Sequence, residues 1–278
     1  MKKSMLCLLL ICSISIFWVN SQSIKAITYN IRYDNGHDGE NDWSIRKTKM
    51  AEMLRFYNAD IIGFQEVLYN QLTYLDSNLA QYHHIGIGRD DGKTKGEYSA
   101  VFYKKDKFDL LQSSTFWLSE TPDTVSRGWD AACNRVCTYA LLKDKKTKQN
   151  FWVFNTHFDH IGEKAQHNSA RLIIERIKKL NKENYPLFLM GDFNMEPEKE
   201  PIQYICTVLE DSKVLFKGNS DMNEGTFNNF EFCKPVNSRI DYFFVSDWKV
   251  KKYRVLTDSY QCKYISDHLP VFVELYHY

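Results

Sequence analysis

The sequence predicts a single α/β domain, and two observations lead to that prediction. The first is size and composition: 278 residues, of which 44% are hydrophobic, can bury a substantial core. The second is that strand-like and helix-like segments alternate along the chain, which is typical of α/β folds. No linker or change of composition divides residues 23–278. We therefore expect one domain over that range.

Periodicity predicts the elements of the first half of the chain. Apolar and polar residues alternate over Ile24–Arg32, as they do in a half-buried strand. Asp42 is a suitable N-cap for a helix from Trp43 to about Tyr57. The other elements predicted here are a strand over Ile61–Val67, a helix near Asn70–Leu79, and strands over Tyr82–Gly88, Tyr98–Tyr103 and Leu110–Leu118.

The second half repeats the alternation. Val136–Leu142 and Phe151–His157 flank the turn KDKKTKQN, which predicts a hairpin. Apolar residues recur at helical spacing over Gly162–Lys182. The remaining predictions are a buried strand over Pro186–Phe193, a short helix near Pro201–Leu209, and strands over Arg239–Val245, Tyr253–Thr257 and Leu269–Tyr276.

The first 22 residues have the pattern of a secretory signal peptide. Lys2 and Lys3 precede an apolar run over Met5–Val19, and small polar residues follow. A membrane anchor is the alternative, but the run is shorter than the roughly 20 apolar residues that a spanning helix needs. Bulky residues precede Cys12, which argues against processing as a lipoprotein. We expect a protein exported to the periplasm or the medium, without stable membrane insertion.

The net charge and the cysteine spacing argue against a broad polyanion-binding surface and against a zinc site. The formal net charge is +1, and removal of Lys2 and Lys3 with the signal peptide leaves −1, so no broad surface for polyanions is indicated. An odd number of cysteines remains, so at least one is free or pairs between chains. Cys133 and Cys137 lack a second pair at zinc-site spacing. We expect all five to be packing residues: Cys133, Cys137, Cys206, Cys233 and Cys262.

Polar residues of metal-ligand or proton-transfer type stand at the ends of the predicted strands. One such residue would usually be solvated or hydrogen-bonded locally, but the whole set is hard to explain by packing. Asp241 lies in an apolar strand and needs a partner, for which His268 is the natural candidate. The set consists of Asn30, Glu66, His157, Asp192, Asn194, Asp241, Asp267 and His268.

The strings that hold these residues resemble the motifs of a known superfamily. TYNIR, GFQEV, NTHFD, GDFN, RIDYFFV and SDHLPV are similar, in order, to those of the endonuclease/exonuclease/phosphatase (DNase I-like) superfamily. The resemblance spans about residues 24–278. It implies a four-layered α/β sandwich, with two mixed β-sheets packed face to face and helices outside. It also implies a metal-dependent phosphoesterase.

The resemblance implies a role for each residue. Glu66 would be the principal Mg²⁺ ligand, with Asn30 and Asp267 assisting directly or through water, and Mn²⁺ is an alternative metal. Whether one or two metals act stays open.

Asp192 and Asn194 would orient or deprotonate the attacking water and hold the phosphate, by the same resemblance. His268 would face the scissile phosphate with Asp241 fixing its tautomer, and His157 would contact the phosphate. The implied mechanism is in-line attack by water without a covalent enzyme intermediate.

Substrate recognition is less clearly indicated. In SRGWDAACNR, the arginines Arg127 and Arg135 can hold a phosphate and Trp129 can stack on a base or sugar. The alternative, solvated arginines and a core tryptophan, is equally supported. Four histidines match no motif and are expected to be ordinary core or surface residues: His83, His84, His160 and His167.

Several substrates remain open. A phosphodiesterase or nuclease is favoured, because nucleases are widespread in the superfamily and the GRD and SRGWD strings resemble a deadenylase-like bacterial branch. The alternatives are a phosphatase or phospholipase C-like enzyme on inositol phosphates, sugar phosphates or sphingomyelin-type head groups, and an inactive binding module. We expect a monomer. Loops decide substrate choice on such folds, and the sequence alone does not interpret them.

Overall fold

Two six-stranded mixed sheets form the centre of the protein. The computed structural model describes residues 23–218 and 225–277, so the predicted signal peptide lies outside the described residues. The strands of the first sheet are β1 (Ile24–Asn30), β2 (Ile61–Val67), β3 (Tyr82–Ile85), β4 (Tyr98–Lys104), β11 (Lys249–Val255) and β14 (Val271–Tyr276). Their order is β11-β14-β1-β2-β4-β3, and only β1 and β2 pair in parallel.

The second sheet has the order β5-β6-β7-β8-β10-β9. Its strands are β5 (Phe108–Trp117), β6 (Val136–Asp144), β7 (Asn150–His157), β8 (Leu187–Asp192), β9 (Glu210–Asp211) and β10 (Asp241–Ser246). β7 and β8 are parallel, and the other pairs are antiparallel. A separate hairpin consists of β12 (Ser259–Tyr260) and β13 (Lys263–Tyr264).

Helices cover the outer face of each sheet. They are α1 (Trp43–Tyr57), α2 (Tyr69–Asn78), α3 (Glu163–Leu180), α4 (Glu200–Cys206) and α5 (Ser212–Leu215), with a short 3-10 turn at Gly39–Asn41. α1 and α2 pack on the first sheet, where Leu54 joins the same apolar cluster as Phe64. α3 and α4 pack on the second sheet, where Ile173 joins Phe154. The layers run helix, sheet, sheet, helix, which confirms the predicted sandwich.

The space between the sheets is largely apolar and contains a polar bridge. Side chains such as Val101 from the first sheet and Phe188 from the second form the central cluster. Within this space, Gln65 on β2 donates through Nε2 to Oδ1 of Asn155 on β7 at 2.6 Å. Asn155 in turn donates to the backbone carbonyls of Phe64 and Ala100 at 2.9 and 2.8 Å. A buried, bonded amide pair of this kind fixes the position of one sheet against the other.

The predicted elements agree closely with the structure where the pattern was strong. The bounds of α1 and β2 match, and the Asp42 carboxylate caps α1 by accepting from the Ser44 N–H at 3.0 Å. The strand predicted over Tyr82–Gly88 ends at Ile85, because Gly86 turns the chain with a φ of +131°. The short elements β9, α5, β12 and β13 were not predicted.

One expectation about the chain's chemistry, the role of the cysteines, can be compared with the structure. The five cysteines are all free, and only Cys137 is buried. The expectation that all five are packing residues is therefore wrong for Cys206, Cys233 and Cys262, which are exposed. Among the described residues, no helix combines the length and apolar character needed to cross a bilayer.

Glu274 on β14 forms an ion pair with two lysines of the neighbouring edge strand β11. Its carboxylate lies 2.9 Å from the ammonium groups of Lys251 and Lys252. Burial alone would raise the pKa of Glu274, but the two lysines lower it from an ordinary 4.5 to about 2. This contribution to stability is therefore complete above the ordinary pKa and is lost as the pH falls toward 2.

We predict that Glu274→Gln lowers the free energy of unfolding by about 1 kcal/mol at pH 7, a modest value because solvent screens both lysines. The difference from wild type should shrink as the pH falls from about 4.5 toward 2. Urea denaturation at a series of pH values measures it, with Glu231→Gln in an exposed pair as the control. A difference that stays constant down to pH 2 would contradict the assignment.

Candidate active site

The predicted polar residues meet at one end of the sandwich, around a cavity of about 570 Å³. Six of the eight candidates line it directly: Glu66, His157, Asp192, Asn194, Asp267 and His268. Asn30 and Asp241 are buried and bond to residues of that group. The site combines residues from both sheets: Asn30 and Glu66 belong to the first, and His157, Asp192 and Asp241 belong to the second.

Strand register places three of these side chains in one row. His157 is paired with Asp192 across β7 and β8, and Asp192 is paired with Asp241 across β8 and β10. Gly191 makes the close approach of β7 and β8 possible. Its φ is +151°, and a Cβ there would overlap the carbonyl oxygen of Thr156. The glycine before Asp192 is therefore a backbone requirement of the row.

Glu66 is turned toward the cavity by an irregularity of β2. Its φ is +60°, and the register of β2 with β4 shifts between Phe64 and Val67. Such shifts often redirect a side chain near a functional site. The Tyr33 N–H donates to Glu66 Oε2 at 3.1 Å.

Asn30 connects the two acidic residues of the floor. Its Nδ2 donates to Glu66 Oε1 at 3.1 Å and to Asp192 Oδ2 at 2.9 Å. Its Oδ1 accepts from the Arg32 N–H at 3.0 Å. With both ends of the amide in use, Asn30 positions the two carboxylates.

Asp192 lies between two histidines. Its Oδ2 is 3.4 Å from Nε2 of His157 and 3.7 Å from Nε2 of His268, and its Oδ1 accepts from the Asn194 N–H at 2.9 Å. Burial raises the pKa of Asp192 from 3.8 to about 7, although the neighbouring His268 opposes the rise. A carboxyl group with this pKa can accept a proton near neutrality.

The two histidines differ in charge. Burial lowers the pKa of His157, and Arg135 and Arg89 lower it further, so this imidazole is neutral. Its Nε2 lies 3.0 Å from Nδ2 of Asn194. Burial alone would also lower the pKa of His268, but Asp241 and Asp192 raise it well above its usual value.

His268 is held by Asp241 through a hydrogen bond from Nδ1 to Oδ2 at 2.9 Å. Both residues are buried, so the ion pair is shielded from solvent. The bond fixes the orientation of the ring and leaves Nε2 directed toward Asp192 at 3.7 Å. The pairing that was expected from the sequence is present.

A divalent cation fits the carboxylates on the cavity side of the site. Burial raises the pKa of Asp267, and the negative charge of Glu66 raises it further, so these two carboxylates repel each other across the cavity. Hard cations prefer such oxygen ligands together with retained water.

A second group of ligand atoms lies deeper. Within the described residues, single atoms of Asp192, Asp241 and His268 lie within 4.8 Å of one another. The residues of this group are buried, and two of them, Asp241 and His268, already bond to each other.

The structure separates the three substrate-binding candidates. Arg135 lines the cavity, whereas Arg127 is exposed and Trp129 half-buried, and neither belongs to the lining. Their loop supports α3 instead: Asp130 accepts from the Ala165 N–H at 2.7 Å in the first turn of that helix. Arg127 and Trp129, which the sequence placed in the substrate site, therefore do not line the cavity, and the SRGWD segment caps α3 instead.

Sequence reasoning missed several residues of the cavity. His160 was expected to be ordinary, yet it lines the cavity with its Nδ1 3.0 Å from Nη2 of Arg135. Arg89 lies in the GRD string and donates two hydrogen bonds of 2.7 Å to Glu97. The GRD string could therefore have indicated Arg89 as a residue of the site. The other unexpected lining residues are Arg32, Tyr33, Asp38, Cys133, Phe227, Asn229, Phe230 and Ile240.

A four-layered sandwich with carboxylates and histidines at its strand ends defines a class of metal-assisted phosphoester hydrolases. A family model confirms this class. The chain belongs to the Endonuclease/Exonuclease/phosphatase family, whose model matches residues 27–268, and members of this family are phosphoesterases that generally depend on divalent metals.

Solved structures of similar chains include two from Bacteroides thetaiotaomicron. One is described as an endonuclease/exonuclease/phosphatase family protein, with 42% identity, a TM-score of 0.89, and 93% of this chain and 99% of that chain covered. The other is described as a mannosyl-6-phosphatase, with 43% identity, a TM-score of 0.88, and 91% and 99% covered.

Curated relatives include a probable RNA exonuclease of Saccharomyces cerevisiae, 28% identical over 207 residues. The match covers 66% of this chain and 39% of the relative, so the chain corresponds to less than half of that protein.

We predict that Asp241→Asn lowers the pKa of His268, because the charge that opposes burial is removed. NMR titration of the histidine ring in EDTA-treated protein measures the pKa. Asp258→Asn, at a half-buried residue that accepts a hydrogen bond from Tyr57, is the control and should leave the pKa of His268 unchanged. An unaltered titration of His268 in Asp241→Asn would show that Asp241 does not hold its proton.

Proposed function

We propose that the protein hydrolyses phosphate monoesters of sugars with the help of a divalent metal ion, by direct in-line attack of water. The observation that carries the proposal is the position of Asp192. It lies between the neutral His157 and the protonated His268, at the floor of a bounded cavity.

The residues of the chain divide the chemistry among them. Asp192 accepts a proton from the attacking water, for which a pKa near 7 is suited, while the bond between phosphorus and the sugar oxygen breaks and that oxygen takes a proton from solvent. Asn194, whose Nδ2 donates to His157 and to the Phe158 carbonyl, orients the attacking water through its Oδ1. His268 in its protonated form donates a hydrogen bond to a phosphoryl oxygen, where negative charge increases in the transition state.

Glu66 and Asp267 would hold the metal ion, Mg²⁺ or Mn²⁺, with Asn30 keeping Glu66 in place. When bound, such an ion neutralises charge on the phosphoryl group. Since each protein group acts on water or on phosphate, no covalent enzyme intermediate is needed.

The choice of a sugar phosphate rests on the cavity and on one relative. A volume of about 570 Å³ is within the range of small-molecule sites. The relative described as a mannosyl-6-phosphatase is 43% identical, and the alignment covers nearly all of both chains. Both observations support a hexose 6-phosphate group as the substrate.

A phosphodiesterase or nuclease, the function favoured by the sequence, is the second candidate. The similarity to a probable RNA exonuclease supports it. The same catalytic groups would act on a diester, so the candidates differ only in what the cavity accepts beyond the phosphate. The near-zero net charge favours the small substrate, since nucleic acid binding relies on phosphate contacts by basic residues.

We predict that Glu66→Gln raises the Mg²⁺ concentration needed for half-maximal activity by at least about tenfold, because a charged ligand is lost. Activity is measured against metal concentration. Glu52→Gln, an exposed residue of α1, is the control. An unchanged metal requirement in Glu66→Gln would place the metal elsewhere.

We predict phosphate release from mannose 6-phosphate in the presence of Mg²⁺, abolished by EDTA, and faster than hydrolysis of single-stranded RNA, DNA, inositol phosphates or sphingomyelin. His268→Ala should reduce kcat by about a hundredfold or more through loss of the hydrogen-bond donor to the phosphoryl oxygen, with circular dichroism checking the fold. His83→Ala, at an exposed residue of β3, is the matched control. Preferred cleavage of RNA or DNA would establish the second candidate instead.

A further inference from the structure

The cavity has a polar wall on the His157 side that the proposed chemistry does not use. We call it the arginine wall; it consists of Arg89, Arg135 and His160 with the carboxylates of Glu97 and Asp159. Its position follows from Glu97, which lies 3.7 Å from Nδ1 of His157. The wall is thus adjacent to the reacting phosphate but separate from the residues assigned to the reaction.

Arg135 is the buried centre of this wall. The residue is 4% exposed and lines the cavity. Its Nε is 3.4 Å from Oδ2 of Asp159, and its Nη2 is 3.0 Å from Nδ1 of His160. Its Nη1 is buried and has no hydrogen-bond partner among the described residues. An unsatisfied buried donor is costly, so a bound ligand that accepts from it would be favoured.

The orientation of Arg135 is fixed by Asp159. Oδ1 of Asp159 accepts from the N–H groups of Ile161 and Gly162 at 3.1 and 2.8 Å, and Oδ2 accepts from the Ala132 N–H at 3.0 Å. These bonds tie the loop before β6 to the loop after β7. Arg135 is consequently a rigid donor, of the kind that can distinguish one ligand from another.

His160 adds a second donor to the wall. Because Arg135 donates to Nδ1 of His160, the hydrogen of the neutral ring is on Nε2. His160 is exposed at the rim of the cavity. The two residues therefore present fixed hydrogens and no acceptor.

The charges of the wall are balanced. Arg89 makes two bonds of 2.7 Å with Glu97, and Arg135 is paired with Asp159. Donors without excess positive charge suit the neutral oxygen atoms of hydroxyl groups. A second phosphate would require uncompensated cations, as phosphate sites generally provide.

Aromatic side chains also line the cavity. The ring of Phe227 lies 5.0 Å from that of His268, and Phe230 also lines the cavity. A small-molecule site typically combines apolar surface with a few placed polar groups. A sugar ring has C–H faces for the aromatic side and hydroxyl edges for the donors.

We propose that Arg135 and His160 form the subsite that binds the hydroxyl groups of the sugar, and that this subsite makes the enzyme select a hexose phosphate over a simple phosphate ester. The inference rests on the proposed function and adds the residues that determine specificity. Arg89 extends the same wall and steadies Glu97.

The test compares two substrates, mannose 6-phosphate and phenyl phosphate, which lacks the hydroxyl groups. Arg135→Lys keeps a positive charge opposite Asp159 but removes the Nη1 donor and the bond to His160. We expect it to lower the ratio of kcat/KM for mannose 6-phosphate over phenyl phosphate by about tenfold to a hundredfold, mainly through KM. Arg171→Lys on the surface of α3 is the matched control and should leave the ratio unchanged.

Since Arg135 is buried, an exposed residue provides a second variant. His160→Ala should lower the same ratio, by about threefold to tenfold, without a change in melting temperature. Deoxy analogues of mannose 6-phosphate extend the test: removal of the recognised hydroxyl should weaken binding to the wild type but not to Arg135→Lys.

Each other outcome has a clear meaning. Equal losses on both substrates in Arg135→Lys would overturn the subsite, as would a preference of the wild type for a hexose bisphosphate. Hydrolysis of phenyl phosphate without any hydrolysis of hexose phosphates would overturn the subsite and leave phosphoester chemistry standing. Activity on neither ester would overturn the proposed function, and the subsite with it.

Discussion

The amide bridge between Gln65 and Asn155 is the contact on which the geometry of the site depends. Neither sheet contains all of the catalytic groups. The spacing between the two sheets therefore determines the distances between those groups. The bridge lies directly behind the cavity, one residue before Glu66 and two before His157. The bond from Asn30 to Asp192 and that from His268 to Asp241 cross the same junction. An apolar interface could slide; these directional bonds prevent it.

Burial shifts the pKa values of neighbouring groups in the site in opposite directions. The same exclusion of water raises the pKa of Asp192 and lowers that of His157, since in each case the neutral form is favoured. His268 escapes this tendency only because two carboxylates stabilise its charge. A neutral imidazole, a carboxyl group titrating near neutrality and an imidazolium thus occur side by side. These side chains belong to only two residue types, aspartate and histidine. Their different environments therefore give them separate acid and base roles.

The sequence predicted the parts of the molecule that depend on local pattern. α1, with its Asp42 cap, and β2, with its apolar run, follow from short-range rules, and so does the location of Asp192 and His268 at strand ends. The family resemblance supplied the four layers. Of the arginine wall only Arg135 was predicted, because Arg89 and His160 are far apart in the sequence and meet only through loop packing. Arg127 and Trp129 were expected in the substrate site for the same reason, since composition alone does not show that their loop caps a helix.

Asp159 has a consequence for the evolution of new specificities on this scaffold. Its single carboxylate receives hydrogen bonds from two loops that are distant in sequence. Replacing only one of these loops with that of a relative would leave buried polar groups without hydrogen-bond partners. It would also distort the loop that was kept. Relatives that handle different molecules should therefore have exchanged both segments together, so that the pair is inherited as one module.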